Sequence, residues 1–181
     1  MVSCDPLYRF SASDVRARID STFDQIVQQT RANAHEFVWD PSIPSVDALR
    51  RVRRAAMNRF LDYESGGCAR RYVGGELPAL PFADGAFGLA LCSHFLFLYT
   101  KQLTEDFHVE AARELCRVAR DVRIFPLLAL GGSPSPYVDA VIQAMRQDGF
   151  GTAIEMVPYE FQRGGNRMLR IGRLRERRGQ R

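Results

Sequence analysis

The chain has no run of apolar residues approaching the roughly 18 that a membrane-spanning helix needs, so no transmembrane segment is expected among its 181 residues. It also lacks a secretory leader pattern, because Asp5 and Arg9 fall where the apolar stretch of such a leader would lie. A cytoplasmic location is the expectation. Cysteine is scarce: Cys4, Cys68, Cys92 and Cys116 are the four, and none forms a C-x-x-C pair. That spacing argues against a zinc site. A chain of this size needs no disulfide staples, so the thiols are expected to be reduced and mostly buried. The three histidines form no metal-binding pattern with Asp or Glu. Lysine is almost absent. Of 25 Lys+Arg only Lys101 is lysine, leaving 25 − 1 = 24 arginines. Such a skew more often follows genome base composition than phosphate contacts. The net charge is +4, and the clearest basic cluster runs from Arg173 to Arg181. Aromatic residues do not interleave with it, so it reads as a solvated terminus rather than a nucleic-acid arm. Neither nucleic acid nor a membrane is expected as a partner. No internal repeat is found.

What is present suits one globular domain with a core: 46% of the residues are hydrophobic. Met1-Val2-Ser3-Cys4-Asp5 reads as a short strand ending on a carboxylate. Ser11 to about Asn33 has Val15, Ile19, Phe23, Ile26, Val27 and Thr30 at three- and four-residue spacing, which predicts a helix capped by Ser11 or Ser13. A second helix is predicted from Ser45 to Tyr63, with Leu49, Val52, Ala56 and Phe60 on one side and Gly66-Gly67 ending it. Arg71 to Glu76 reads as a strand and turn. Phe87 to Ser93 is nearly continuous in apolar residues, the pattern of a strand buried on both faces. A helix from Thr104 to Arg120, a strand from Val122 to Leu130, a helix from Tyr137 to Asp148 and strands from Thr152 to Phe161 and Asn166 to Arg173 follow. The predicted order is β-α-α-β-β-α-β-α-β-β. It implies an α/β fold with a mostly parallel sheet and a C-terminal antiparallel hairpin.

Several segments together resemble a class I S-adenosylmethionine-dependent methyltransferase of the type 11 kind. Glu76-Leu-Pro-Ala-Leu-Pro-Phe82 looks like the family's acidic-x-x-x-Leu-Pro-Phe stretch after its third strand. Asp84-Gly-Ala-Phe87 and Leu89 to Ser93 look like the entry and body of its fourth strand. Ala112-Arg-Glu-Leu-Cys-Arg-Val118 is similar to its "Leu-x-Arg-Val" helix. The closing hairpin is what the family adds to an ordinary dinucleotide-binding sheet. Two features depart from the pattern. Gly88 stands where the family has Asp. The family's first strand and glycine-rich loop have no counterpart, so Asp5 would end the second strand of the sheet. The first strand is central in that fold, and its roughly five buried side chains would each contribute about 1.5–3 kcal/mol. The expectation is a Rossmann-like sheet with its first strand missing, in one domain over residues 1–175. Residues 7–70 are a helical insertion in it, and 176–181 are a basic tail. Met1 is then an internal residue of a longer reading frame.

The resemblance assigns roles. Asp5 at a strand end would accept from two ribose hydroxyls, the alternative being a turn-former before Pro6. Glu76 and the Leu77 backbone would contact the adenine, the alternative for Glu76 being an exposed loop acid. Ser93 lies at the ligand-binding end of a strand, beside the cofactor. His94 would line the transfer site or act as a base, or else pack or cap. Phe95, Phe97 and Tyr99 form an aromatic wall or belong to the core. The implied cofactor is S-adenosyl-L-methionine, and the methyl acceptor is unidentified. The competing reading is an inactive relic of the fold that serves as a binding or assembly module. In it, a partner chain or a second copy completes the sheet.

Overall fold

The computed structural model describes residues 1–61 and 71–173. The expected helix end at Gly66-Gly67, Cys68 and the basic tail lie outside the described residues. The chain divides into two compact units, Met1–Glu76 and the residues from Leu77 on.

In the first unit β1 (Ser3–Cys4) pairs in parallel with β2 (Tyr72–Val73), Ser3 opposite Tyr72 and Cys4 opposite Val73. Between them in sequence lie α1 (Ala12–Ala32) and α2 (Val46–Phe60). Ser11 caps α1 by accepting from Asp14 N, and Ser45 caps α2 by accepting from Ala48 N. Val15, Phe23, Val27 and Thr30 form the buried stripe of α1. On α2 the buried residues are Ala48 and Leu49. Val52 and Ala56, expected on the inner side, are exposed. Charged groups also link the two helices. Arg31 pairs with Asp47 at 2.8 Å and Arg50 with Asp24 at 3.0 Å, and the Arg54 guanidinium sits 4.0 Å from the centre of the Phe23 ring.

The second unit holds β3 (Phe87–Ser93), α3 (Glu105–Val118), β4 (Ala119–Phe125), α4 (Val138–Gln147), β5 (Phe150–Met156) and β6 (Arg167–Arg173). The order of elements along the chain is the predicted one. The strands lie in the order β3-β4-β6-β5. β3 and β4 are parallel, and β6 is antiparallel to both β4 and β5. β3, β4 and β5 therefore run the same way, and β6 is the one reversed strand. Val122, Ile124, Leu169 and Ile171 from the sheet meet Ala111, Leu115, Val141 and Met145 from α3 and α4 in one core. The helix expected to reach Arg120 stops at Val118, because Ala119 turns extended (φ −136°, ψ 154°) and opens β4. β4 stops at Phe125, before Pro126, which has no N–H to donate to a ladder.

A further expectation fails. β3 is not buried on both faces. Cys92 is buried and Ala90 packs on the core, but Leu89 is 44% and Leu91 67% exposed. β3 is an edge strand of its sheet among the described residues. The side of the sheet that carries Leu89 and Leu91 also carries Asp121, Arg123 and Arg170 in register. Salt bridges of 3.1–3.4 Å run across it: Arg123 and Arg170 each pair with Asp121, and Arg170 also pairs with Glu155. A charged ladder makes a poor floor for a second apolar layer. No helix of the described residues is long and apolar enough to cross a membrane.

Candidate functional site

Asp5 and Glu76 follow the C-terminal ends of the parallel pair β1–β2. Asp5 continues the ladder by donating its N–H to Val73 O at 3.1 Å. Its Oδ1 accepts from Leu7 N at 2.8 Å and caps the short 3-10 turn Pro6–Arg9. The turn-forming role is thus observed, and Oδ2 has no hydrogen-bond partner among the described residues. Glu76 is exposed, and its Oε1 accepts from Arg9 Nη1 at 3.4 Å. Its second oxygen is likewise unengaged by any described residue.

Leu77 opens the second unit and packs against its core. The loop that follows is held by two side chains of α3. Glu114 Oε1 accepts from Leu80 N at 2.6 Å. Arg117 donates from Nε to Glu114 at 2.7 Å, from Nη1 to Phe82 O at 2.8 Å and Asp84 at 2.7 Å, and from Nη2 to Leu80 O at 3.1 Å and Glu114 at 2.7 Å. The Arg117 carbonyl also accepts from Gly85 N at 2.8 Å. These bonds hold the Arg117 cation charged, well above its ordinary range. They hold the Glu114 carboxyl below its own, chiefly through the Arg117 hydrogen bond. Sequence reasoning noticed the Leu-x-Arg-Val pattern but assigned Arg117 and Glu114 no role. Spacing inside one helix says nothing of a loop some 35 residues earlier.

Ser93 ends β3, and His94 turns the chain. His94 is the only non-glycine residue with positive φ (54°) among the described residues, a conformation uncommon for a side chain of its size. The turn is pinned because His94 N donates to Phe125 O at 2.7 Å, extending the β3–β4 ladder by one bond. Ser93 Oγ and His94 Nδ1 are 2.7 Å apart. Nε2 has no hydrogen-bond partner among the described residues. The imidazole stands edge-on to Phe125 with centroids 5.5 Å apart, and Phe125 is 6.1 Å from Tyr159. Partial burial of the ring pushes the His94 pKa down. His94, Phe125 and Tyr159 thus belong to the C-terminal ends of the three co-directional strands, where open α/β sheets bind ligands.

Of the three aromatics after His94, Phe97 is fully buried in the core, while Phe95 and Tyr99 are each 39% exposed with centroids 5.9 Å apart. His35 is exposed on a short 3-10 turn. His108 is buried, with Nδ1 2.7 Å from Thr104 O. A cavity of about 570 Å³ lies at the opposite end of the sheet, lined by Arg113, Arg117, Arg120, Phe150 and Arg173 among others. It touches none of the expected site residues. The described residues hold no cluster that could bind a metal ion.

No protein-family model matches the chain. It is 30% identical over 175 residues to the uncharacterized protein MJ0045 of Methanocaldococcus jannaschii, covering 96% of this chain and 76% of that protein. Among solved structures it is similar to the O-methyltransferase NcsB1 from neocarzinostatin biosynthesis, determined with S-adenosyl-L-homocysteine and 1,4-dihydroxy-2-naphthoic acid. That likeness has a TM-score of 0.41 and 17% identity, and it covers 67% of this chain. The chain spans 39% of the length of that structure.

Proposed function

We propose, for a chain that belongs to the same family as the Methanocaldococcus jannaschii protein MJ0045, that it is a class I S-adenosylmethionine-dependent methyltransferase. The observation that carries this reading is the strand order β3-β4-β6-β5, in which a reversed β6 is inserted between β4 and β5. In this reading β1 and β2 are the family's second and third strands, and β3 to β6 its fourth to seventh. No described strand corresponds to its first.

The residues fit the cofactor. Among the described residues Asp5 and Glu76 each keep a carboxylate oxygen that could accept, from a ribose hydroxyl and from the adenine amine respectively. The Leu77 backbone would address the ring, and Ser93 would lie beside the cofactor. When bound, the cofactor supplies a methyl group on a positively charged sulfur. His94, kept neutral by its surroundings, accepts the proton of an acceptor that must lose one. The acceptor itself is not identified.

A second reading is favoured by the open edge of β3. The chain is then a binding or assembly module whose sheet is completed by a second copy or a partner chain. Calorimetric titration with S-adenosylmethionine separates the two. The first predicts saturable binding by the wild type and a marked loss in Asp5→Ala. No binding at millimolar cofactor by a folded chain refutes it and leaves the second.

A further inference from the structure

We infer that Arg117 and Glu114 are positioning residues that set cofactor affinity by fixing the backbone of the loop that begins at Leu77. The inference rests on the methyltransferase reading, which gives that backbone to the adenine.

The guanidinium group has five N–H donors. Here all five are used, and every acceptor except Glu114 lies in the loop between Leu80 and Asp84. Glu114 closes the circuit by accepting from Leu80 N at 2.6 Å while it holds Arg117 through two bonds of 2.7 Å. Leu80 is thus gripped by both its N–H and its C=O. The Arg117 main chain adds Gly85 N. A loop without secondary structure of its own is in this way tied to a helix whose apolar face is buried in the core. Such a loop, released, samples many conformations. A ligand that reads its backbone pays for the fraction of time the backbone is in place, since apparent affinity falls in proportion to that fraction. The three motifs that seemed separate in sequence (the Leu-Pro-Phe stretch, Asp84-Gly85 and the Leu-x-Arg-Val helix) are here one hydrogen-bonded assembly. Asp84, the most exposed partner (84% of its side chain), contributes least to it.

Arg117→Lys and Arg117→Ala test the idea. Lysine offers three donors from a single point and cannot serve five acceptors in a plane, so it does not rescue. Both variants are expected to bind S-adenosylmethionine about tenfold more weakly, with faster hydrogen exchange at the Leu80 amide. Glu114→Gln, which keeps an acceptor for Leu80 N, replaces Arg117→Ala if that variant does not fold. Met145→Ala, a fully buried α4 residue away from the loop, controls for stability. It should lower the melting temperature yet leave cofactor affinity within about twofold. Equal cofactor binding by wild type and Arg117→Ala, with Leu80 exchange accelerated, overturns the inference alone. A wild-type chain that binds no S-adenosylmethionine overturns the methyltransferase reading and this inference with it.

Discussion

Leu91→Lys is the substitution that best tests whether the edge of β3 is covered in the working protein. Full burial of a leucine side chain contributes about 1.5–3 kcal/mol. Leu91 is 67% exposed, so roughly 1–2 kcal/mol of that is still unrealised. Leu89, at 44%, leaves about 0.7–1.3 kcal/mol more. These are upper estimates, because a strand added at the edge covers a neighbour only in part. In an isolated chain Leu91→Lys should change stability by less than about 0.5 kcal/mol, since the side chain already faces solvent. In a symmetric pair joined edge to edge it removes up to about 2–4 kcal/mol over both copies. That is roughly a 30- to 700-fold rise in the dissociation constant. Lysine also adds the charge by which natural sheets keep their edges apart. Sedimentation velocity across a hundredfold concentration range reads the difference directly. A wild type that associates while Leu91→Lys stays monomeric supports coverage by a second copy. A monomeric wild type whose melting is independent of concentration and matches that of the variant refutes it.

Three further outcomes follow from the ionisable groups. The His94 pKa is lowered by burial from its ordinary 6.5, so a transfer rate that uses it as base should hold to below pH 6.5 and fall only as the ring protonates. His94→Gly, which suits the positive φ, should cost about 10²–10⁴-fold in rate, and a pH–rate profile that breaks above 7 refutes the role. The Glu114 carboxyl is held below its ordinary 4.5 by Arg117. Its contribution to stability is therefore complete above that value and lost as pH falls through the lower folded one. Glu114→Gln should flatten the acid limb of melting temperature against pH, and an unchanged limb contradicts the assignment. Burial pushes the Cys116 thiol up to about 12 and the Cys92 thiol upward as well. At pH 8 only about one Cys116 in 10⁴ is thiolate. Of the three described cysteines, a maleimide should reach half-buried Cys4 first and Cys116 only on unfolding, which peptide mapping of the labelled native protein can check.

The order of helices and strands was readable because each long element carries its own period. Val15, Phe23 and Val27 mark a helix, and Val122 and Ile124 with Leu169 and Ile171 mark alternate strand positions over one core. Caps were readable for the same reason: Ser11 and Ser45 precede their helices directly. The burial of β3 was not. Phe87-Gly-Leu-Ala-Leu-Cys-Ser93 is apolar at nearly every position, and that pattern states what could be covered, not what is. The site divides the same way. Ser93 and His94 were placed at a strand end from local pattern, and they do sit there. The Ser93–His94 hydrogen bond and the positive φ of His94 depend on Phe125 O, which a linear reading does not bring near. Arg117 was visible only as a motif, because its partners are a loop it meets through the fold.

Asp5 and Glu76 looked alike in sequence, as two acids at strand ends, but the structure makes them different instruments. Asp5 is held by its backbone: extended at φ −157°, with its N–H in the ladder and Oδ1 capping the next turn. Its free oxygen is therefore presented in one place, at little entropic cost to a ligand that uses it. Among the described residues the Glu76 carboxylate is tied through Arg9, across 3.4 Å, with both side chains more than half exposed. Such a pair contributes about 0–1 kcal/mol. Arg9 reaches it by lying over Gly74, where a Cβ would stand 2.7 Å from Arg9 Cγ; the missing side chain leaves that path open. Glu76 can thus leave Arg9 for a ligand donor with small loss, and Arg9 remains nearby as a cation. A rigid acceptor fixes where a sugar must sit. A loosely tethered one adjusts to what the sugar carries. In the methyltransferase reading, discrimination by the first unit would then rest on Asp5, with Glu76 following.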